Sequence, residues 1–204
     1  MEFSGISVPS IVLPPGARGL AARYSFVFPR VIGDTTATQV LAAIRNLTVA
    51  PDARIVRVVR LAVVMEETAA VTAASSLLRA MRVAASALGG GTNIPKSLSD
   101  TLMTGGSALV TALSATTSDA TGATPITGGP GTPNVPSANT YGAMMGTTLH
   151  TAVGQRFNAF FDLFHAPLIL RAGEAVVAQV SPVAAANPAT AQYGVLAEVE
   201  EFFT

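Results

Sequence analysis

The sequence predicts an all-β fold, a sandwich or barrel of short antiparallel strands. Apolar segments rich in Val, Ile and Phe recur along the chain, and clusters of glycine and proline separate them. Short strands between such turns are typical of sandwiches and barrels. The clearest case is the segment 167–180, where two apolar runs flank Arg171-Ala172-Gly173-Glu174. Because Gly173 can adopt the positive φ of a tight turn, this segment is predicted to be a β-hairpin.

The first nineteen residues are predicted to form an extended N-terminal arm. Three prolines fall within Met1–Gly19, and proline removes the backbone donor that regular strand pairing needs. The apolar residues of the arm suit contact with a neighbouring subunit, whereas a frayed terminus is the alternative. The candidate interface residues of the arm are Ile11, Val12 and Leu13. The remainder, residues 20–204, is predicted to be a single β-sandwich domain.

Three strands are predicted in the first third of the chain, at Arg23–Phe28, Val40–Val49 and Arg54–Glu66. In the third strand most apolar residues hold odd positions and most charges hold even positions, which predicts one buried face and one wetter face. Its arginine spacing also fits a helix, but the density of β-branched residues favours a strand. The residues assigned to the buried face are Ile55, Val59, Leu61, Val63 and Met65.

The segment 68–88 is ambiguous from its residues alone. Its alanines, leucines and methionine favour a helix that Gly89-Gly90-Gly91 would end. Ser76–Ala84 is equally compatible with a strand paired to the preceding one. Both alternatives stay open at this point.

A polar stretch rich in Thr, Ser, Ala, Gly and Pro runs over 114–140. Nothing in it is expected to pack into a core, so it is predicted to be a long exposed loop. A loop of this length usually serves a partner or a function, and in an assembly it would reach a neighbouring subunit. The candidate interface residues here are Pro130, Pro133 and Tyr141.

The last third is predicted to be rich in strands, with strands over 155–163 and 192–203 around the 167–180 segment. In the final strand one set of alternate positions carries Val195, Ala197, Val199 and Glu201, and the other carries Leu196, Glu198, Glu200 and Phe202. Glu198 and Glu200 share one face of this strand, and the simplest reading is a solvated face.

Composition narrows the classes of function. The 204-residue chain has 12 basic and 12 acidic residues, and its mean hydropathy is +0.49. Charge this sparse predicts extensive contact with partners. A membrane span is not expected, because no run of about 20 apolar residues lacks charge. Direct nucleic-acid binding is not expected either, because basic residues do not cluster. Cysteine is absent, which excludes disulfides and thiolate metal sites.

No catalytic constellation is found. His150 and His165 are the only imidazoles, and Asp162 would face away from His165 on a strand. No serine stands in a Gly-x-Ser-x-Gly elbow, and neither glycine cluster has the Gly-Lys-Ser/Thr ending of a phosphate-binding loop. The sequence therefore predicts a protein that is not an enzyme and that has no cofactor and no metal site.

Two C-terminal segments carry a family resemblance. Pro167–Val176 resembles the P-L-x-L-R-P-G-E-G-L segment found near the end of small virion proteins of tailed bacteriophages, with Ala172 and Ala175 at the proline and second glycine positions. Val195–Phe202 is similar to the V-x-V-E-W-E-E strand that closes those proteins, although it lacks the tryptophan.

The resemblance implies a jelly-roll-like antiparallel β-sandwich in which Ser76–Ala84 is a strand. It further implies a structural virion protein that decorates or cements the capsid as a homo-oligomer, often a trimer. The expected partners are further copies and the major capsid protein or another virion protein. The alternative function is receptor or carbohydrate binding, as in a phage tail fibre or a surface adhesin.

Overall fold

Two large antiparallel sheets pack face to face in the computed structural model of the chain. The structure describes residues 13–32, 39–68, 74–98, 106–115, 126–127, 142–150, 156–162, 168–182 and 191–204. The first sheet contains β1 Gly19–Val27, β2 Val31–Ile32, β4 Arg54–Glu67, β8 Ser97–Leu98, β12 Arg156–Asp162, β13 Leu168–Leu170 and β15 Ala191–Phe203. The second contains β3 Gln39–Asn46, β5 Ala74–Ala84, β7 Thr92–Ile94, β9 Val110–Ser114, β11 Gly142–His150 and β14 Glu174–Pro182. A separate small ladder joins β6 Gly89–Gly90 to β10 Ile126–Thr127.

The strand pairing is nested. Among the described residues, eight strands have seven or more residues, and they pair first with last, second with seventh, third with sixth and fourth with fifth. The four pairs are β1 with β15, β3 with β14, β4 with β12, and β5 with β11. A long hairpin rolled into two sheets produces this order, which is the jelly-roll arrangement. The predicted all-β antiparallel sandwich is therefore confirmed. Ser76–Ala84 lies within a strand, β5, but the predicted pairing with the preceding strand is wrong, because β5 pairs with β11 and β14 in the second sheet.

β1 and β15 of the first sheet follow the alternation predicted for them. Tyr24 and Phe26 of β1 are buried, whereas the intervening Ser25 is half-buried. Val195, Ala197 and Val199 of β15 point into the same core. Aromatic and β-branched residues at every second position suit a pleated strand with one face in a core.

The face assigned to β4 is wrong over its first half. Glu198 pairs with Arg60 and Val199 pairs with Val58, so Val59 is an extra residue, a β-bulge. A bulge shifts the alternation by one residue. The central core therefore takes the even-numbered Val56 and Val58 before the bulge and the odd-numbered Leu61, Val63 and Met65 after it. Ile55 and Val59 are buried outside the central cluster.

The segment 167–180 is not a hairpin. The tight turn is present, because Gly173 has a φ of +83° and the Glu174 N–H donates to the Arg171 carbonyl at 3.0 Å. However, Leu168–Leu170 pairs with β4 in the first sheet, and Glu174–Pro182 lies between β3 and β5 in the second. The turn is thus a corner that carries the chain from one sheet to the other. Local sequence shows that two strands flank a turn, but long-range competition for partners decides whether they pair with each other.

Two strands of the second sheet, β3 and β14, are buried on both faces over much of their length. All residues from Val40 to Ile44 and from Ala175 to Ser181 are buried, although neighbours along a strand point in opposite directions. Part of the cover comes from the connection between β5 and β11, in which a 3-10 turn lies against β14 and β10 lies against β3. Ile126 of β10 is buried in the main core. The prediction that nothing in 114–140 packs into a core is wrong at Ile126 and at Ala115, which lies in the same core, and Ser114 is the buried last residue of β9. Single small or apolar side chains among polar neighbours give no periodic signal.

Candidate functional site: an apolar end surface above a buried carboxylate

One end of the sandwich carries most of the exposed apolar side chains of the described residues. The turn 47–53, the segment 107–109 and both ends of the described chain meet there. Seven large hydrophobic side chains are exposed in the described part, and four of them are at this end with exposures between 42% and 65%. We call these four residues the end surface: Leu13, Val49, Leu109 and Phe203.

Backbone hydrogen bonds connect the segments of the end surface. The Leu47 N–H donates to the Leu109 carbonyl at 2.9 Å, which ties the turn before β4 to the segment before β9. The Arg18 N–H donates to the Phe203 carbonyl at 2.9 Å, which ties the N-terminal segment to the end of β15. The backbone at Leu109 and at Phe203 is therefore fixed in the unbound protein, which lowers the entropy that binding through these residues would cost.

Phe203 is the largest residue of the end surface, and a contact with Arg54 restrains its ring. The Arg54 guanidinium carbon lies 4.4 Å from the centroid of the Phe203 ring, a cation–π contact. The Arg54 N–H donates to the Thr48 hydroxyl at 2.9 Å, so the strand that carries the cation is itself fixed. A half-exposed aromatic ring fixed by an arginine has the character of an anchor residue at protein interfaces.

A buried carboxylate lies directly beneath this surface. Glu201 is fully buried, and each of its oxygens contacts two groups. The Ser107 N–H donates to Oε1 at 2.8 Å, and Arg54 Nε forms an ion pair with Oε1 at 3.4 Å. The Tyr24 hydroxyl donates to Oε2 at 3.1 Å, and Lys96 Nζ lies 3.8 Å from Oε2. We call these five residues the Glu201 cluster.

Two members of the cluster, Tyr24 and Lys96, have a shifted pKa. Burial, and secondarily the negative charge of Glu201, raise the pKa of the Tyr24 hydroxyl far above its ordinary value. Burial lowers the pKa of Lys96, and the attraction of Glu201 opposes this effect. Lys96 Nζ also lies 4.4 Å from the centroid of the Tyr24 ring and donates to the Ser107 carbonyl at 2.5 Å. The raised pKa keeps the Tyr24 hydroxyl protonated, so that it can donate its hydrogen bond to Glu201.

The contacts of the Glu201 carboxylate link β15 to four other segments of the chain. The two oxygens of Glu201 accept hydrogen bonds from β1 and from the segment before β9, and they pair with cations on β4 and before β8. Gly106 permits the close approach, since its φ is +67° and a Cβ there would lie 2.5 Å from Glu201 Oε2. The sequence did carry a signal for Glu201, because it shares the parity of Val195, Ala197 and Val199, which face the core.

Glu198 and Glu200 do not form the solvated face that the sequence predicts. Glu200 is buried, accepts a hydrogen bond from Arg57 Nε at 2.6 Å and lies 3.9 Å from Arg23 Nε. Glu198 pairs with Arg60 at 3.4 Å. Each glutamate thus faces an arginine of β4, and the arginine spacing that resembled a helix pattern supplies cross-strand partners.

Most of the residues predicted to form interfaces lie outside the described part of the chain. They are Ile11, Val12, Pro130, Pro133 and Tyr141. Leu13 is described, and it lies at the end surface with 42% of its side chain exposed. Val49 and Leu109 were missed, since single apolar residues in turns have no periodic signal. Phe203 was also missed as an interface residue, although it is the last residue of β15.

Within the described residues, no group of three or more acidic or histidine side chains is placed to hold a metal ion. Over the same residues, no helix has the length and apolar character that a membrane crossing requires. Comparison with protein-family models, with curated proteins and with solved structures returned no match.

Proposed function

We propose that this chain is a structural protein of a tailed-bacteriophage virion, a decoration or cement protein that stabilises the capsid as a homo-oligomer. The observation that carries the proposal is the nested jelly-roll pairing together with the place of the phage-like segment within it. That segment forms the corner at which the chain passes from the first sheet to the second.

Each residue type of the phage-like segment has a physical task at the corner. Leu168 and Leu170 are buried in the core, and Gly173 supplies the left-handed turn. The Glu174 carboxylate accepts a hydrogen bond from the Arg171 N–H at 2.7 Å and pairs with Arg82 at 3.8 Å. The resemblance therefore rests on residues that build the corner, which supports a shared architecture with the virion proteins.

We propose that the end surface is the part of the protein that contacts a neighbouring subunit. Exposed apolar side chains on fixed backbone lose water when a neighbouring subunit covers them, and burial of apolar area stabilises association by about 25 cal/mol per Å² before entropic costs. Phe203 would act as the central anchor of that contact. The N-terminal segment 1–12 joins the described chain at Leu13, within the same surface, so we propose that both contact the same neighbour.

The first test is a copy count in particles of the phage that encodes the chain. Quantitative mass spectrometry of purified particles is expected to find dozens to hundreds of copies per particle. Absence from the particle would refute the proposal. A handful of copies at a vertex or tail tip, together with binding on a glycan array that requires Tyr141, would instead support the receptor- or carbohydrate-binding alternative.

The second test locates the contact. Phe203→Ala and a deletion of residues 1–12 are expected to reduce binding to particles that lack the protein, because both remove apolar contact at the end surface. Val27→Ala is the matched control, since Val27 is 61% exposed but lies at the far end of β1. Equal loss for Val27→Ala and Phe203→Ala would contradict the assignment of the end surface as the contact.

A further inference from the structure

Arg54 lies between the Glu201 cluster and the end surface. Its cross-strand partner on β15 is Phe203, and Glu201 lies two residues earlier on the same face of that strand. Arg54 Nε is 3.4 Å from Glu201 Oε1, and the guanidinium carbon is 4.4 Å from the centroid of the Phe203 ring. One guanidinium therefore contacts both a buried charge and an exposed ring.

The contacts of Arg54 fix the position of this guanidinium. The Arg54 N–H donates to the Thr48 hydroxyl at 2.9 Å, and the Arg54 carbonyl accepts a hydrogen bond from Asn46 Nδ2 at 2.8 Å. The side chain is only 21% exposed, and its ion pair with the fully buried Glu201 holds Nε toward the interior. A planar guanidinium that is fixed in this way restrains an aromatic ring that lies against it.

A second group of the same residue types provides an internal comparison. Arg57 pairs with Glu200, and its guanidinium carbon is 5.2 Å from the centroid of the Phe202 ring. Consecutive residues of a strand point to opposite faces, so this group lies on the other face of β15. Its ring is fully buried, whereas 45% of Phe203 is exposed. A partner that covers the exposed, restrained ring gains apolar burial without the entropic cost of ordering that side chain.

We propose that Arg54 is the positioning residue of the Phe203 anchor, and that Glu201 in turn fixes Arg54. The proposal rests on the contact between the end surface and a neighbouring subunit that is proposed above. The guanidinium covers one face of the ring, so a partner reaches the other face and the edge. Arg54 repels a second cation there, so the group that fits against the ring is an apolar or aromatic side chain of the neighbouring subunit.

The restraint on the ring is tested in the free protein, without particles. The chain has no tryptophan, so Phe203→Trp introduces a single indole at the anchor position, and indole makes the strongest cation–π contacts. Time-resolved fluorescence anisotropy measures the local motion of that side chain. Adding Arg54→Met is expected to raise the amplitude of this motion about twofold. Arg57→Met is the matched control and is expected to leave the motion unchanged, because Arg57 contacts the ring on the other face.

Binding to particles that lack the protein tests the consequence for the partner. Arg54→Met is expected to weaken binding about two- to tenfold, since the partner must then order the anchor side chain. With Phe203→Leu already in place, Arg54→Met is expected to weaken binding no further, because the arginine acts through the ring. Arg57→Met is again expected to have no effect.

Two outcomes would overturn the positioning role. The first is an indole that is equally restricted with and without Arg54. The second is an equal loss of binding from Arg54→Met in the wild-type and Phe203→Leu backgrounds, which would mean that the arginine contacts the partner directly. If Arg54→Met does not fold, Arg54→Lys decides by the same criteria, because it keeps a charge beside Glu201 but lacks the planar group. If Arg54→Met frees the indole but wild-type protein does not bind particles, the positioning role holds and the proposed function fails.

Discussion

Replacing Asn46 with alanine removes a buried amide that joins both sheets at the corner. Asn46 ends β3, and its Nδ2 donates to the Arg54 carbonyl at 2.8 Å and to the Leu170 carbonyl at 3.1 Å. Its Oδ1 accepts from the Thr48 N–H at 3.3 Å and from the Thr48 hydroxyl at 2.6 Å. One side chain therefore connects the second sheet to two strands of the first.

The size of the effect follows from these four hydrogen bonds. A buried hydrogen bond contributes about 1 kcal/mol net, and an orphaned buried carbonyl adds to the loss. Two features limit the loss in the Asn46→Ala variant. The Arg54 carbonyl is only partly buried, and the Thr48 hydroxyl still accepts a hydrogen bond from the Arg54 N–H. We therefore expect Asn46→Ala to lower the free energy of unfolding by about 3 kcal/mol. For a chain of this length that loss lowers Tm by roughly 6–12 °C.

Equilibrium urea unfolding monitored by circular dichroism measures this change, and Thr48→Val provides the comparison. Thr48→Val keeps the shape of the side chain but removes the hydroxyl, for an expected loss of about 1–2 kcal/mol. Since the hydrogen bond from the Thr48 hydroxyl to Asn46 Oδ1 is lost in both single variants, the double variant is expected to lose about 1 kcal/mol less than the two single losses combined. A loss below about 1 kcal/mol for Asn46→Ala, or full additivity in the cycle, would refute the reasoning.

Two further predictions concern backbone strain and pH. Gly173→Ala is expected to cost about 1–2 kcal/mol from positive φ alone, since no heavy atom lies within 4 Å of the added Cβ. Gly106→Ala is expected to cost more in the same urea assay, because its Cβ also collides with Glu201; equal losses would contradict this. Burial, with a smaller contribution from the charge of Glu67, raises the pKa of Tyr193 to about 12. Stability from this raised pKa is complete below pH 10 and is lost as the pH rises from 10 to 12, by up to about 2–3 kcal/mol. Tyr193→Phe is expected to reduce this alkaline loss, and an unchanged pH profile would disprove the contribution.

The local features of the fold could be predicted because their causes are local. Tyr24 and Phe26 show the two-residue period of a half-buried strand, and Gly173 marks a tight turn. These signals depend only on side-chain direction and on the φ that a residue can adopt. The all-β class could be predicted because these local signals recur along the chain.

The position of each strand in the sheets depended on partners distant in sequence. The bulge at Val59 exists because β4 must match β15, and it reverses which valines face the core. The corner at Gly173 separates β13 from β14 because each finds its partners in a different sheet. Strands that are distant in sequence compete for pairing partners, and the sequence of a single segment does not determine the outcome of that competition.

At the candidate functional site, too, the sequence determines some properties and the tertiary structure determines others. The sequence alone determined that Glu201 shares the parity of the core-facing valines and that the chain ends in aromatic residues. Only the tertiary structure decided that this carboxylate is buried. Its partners Tyr24 and Ser107 lie 177 and 94 residues away in sequence. A charge is stable in an interior only when donors and cations surround it. Folding assembles those partners from four segments, and no one of these segments carries the signal by itself.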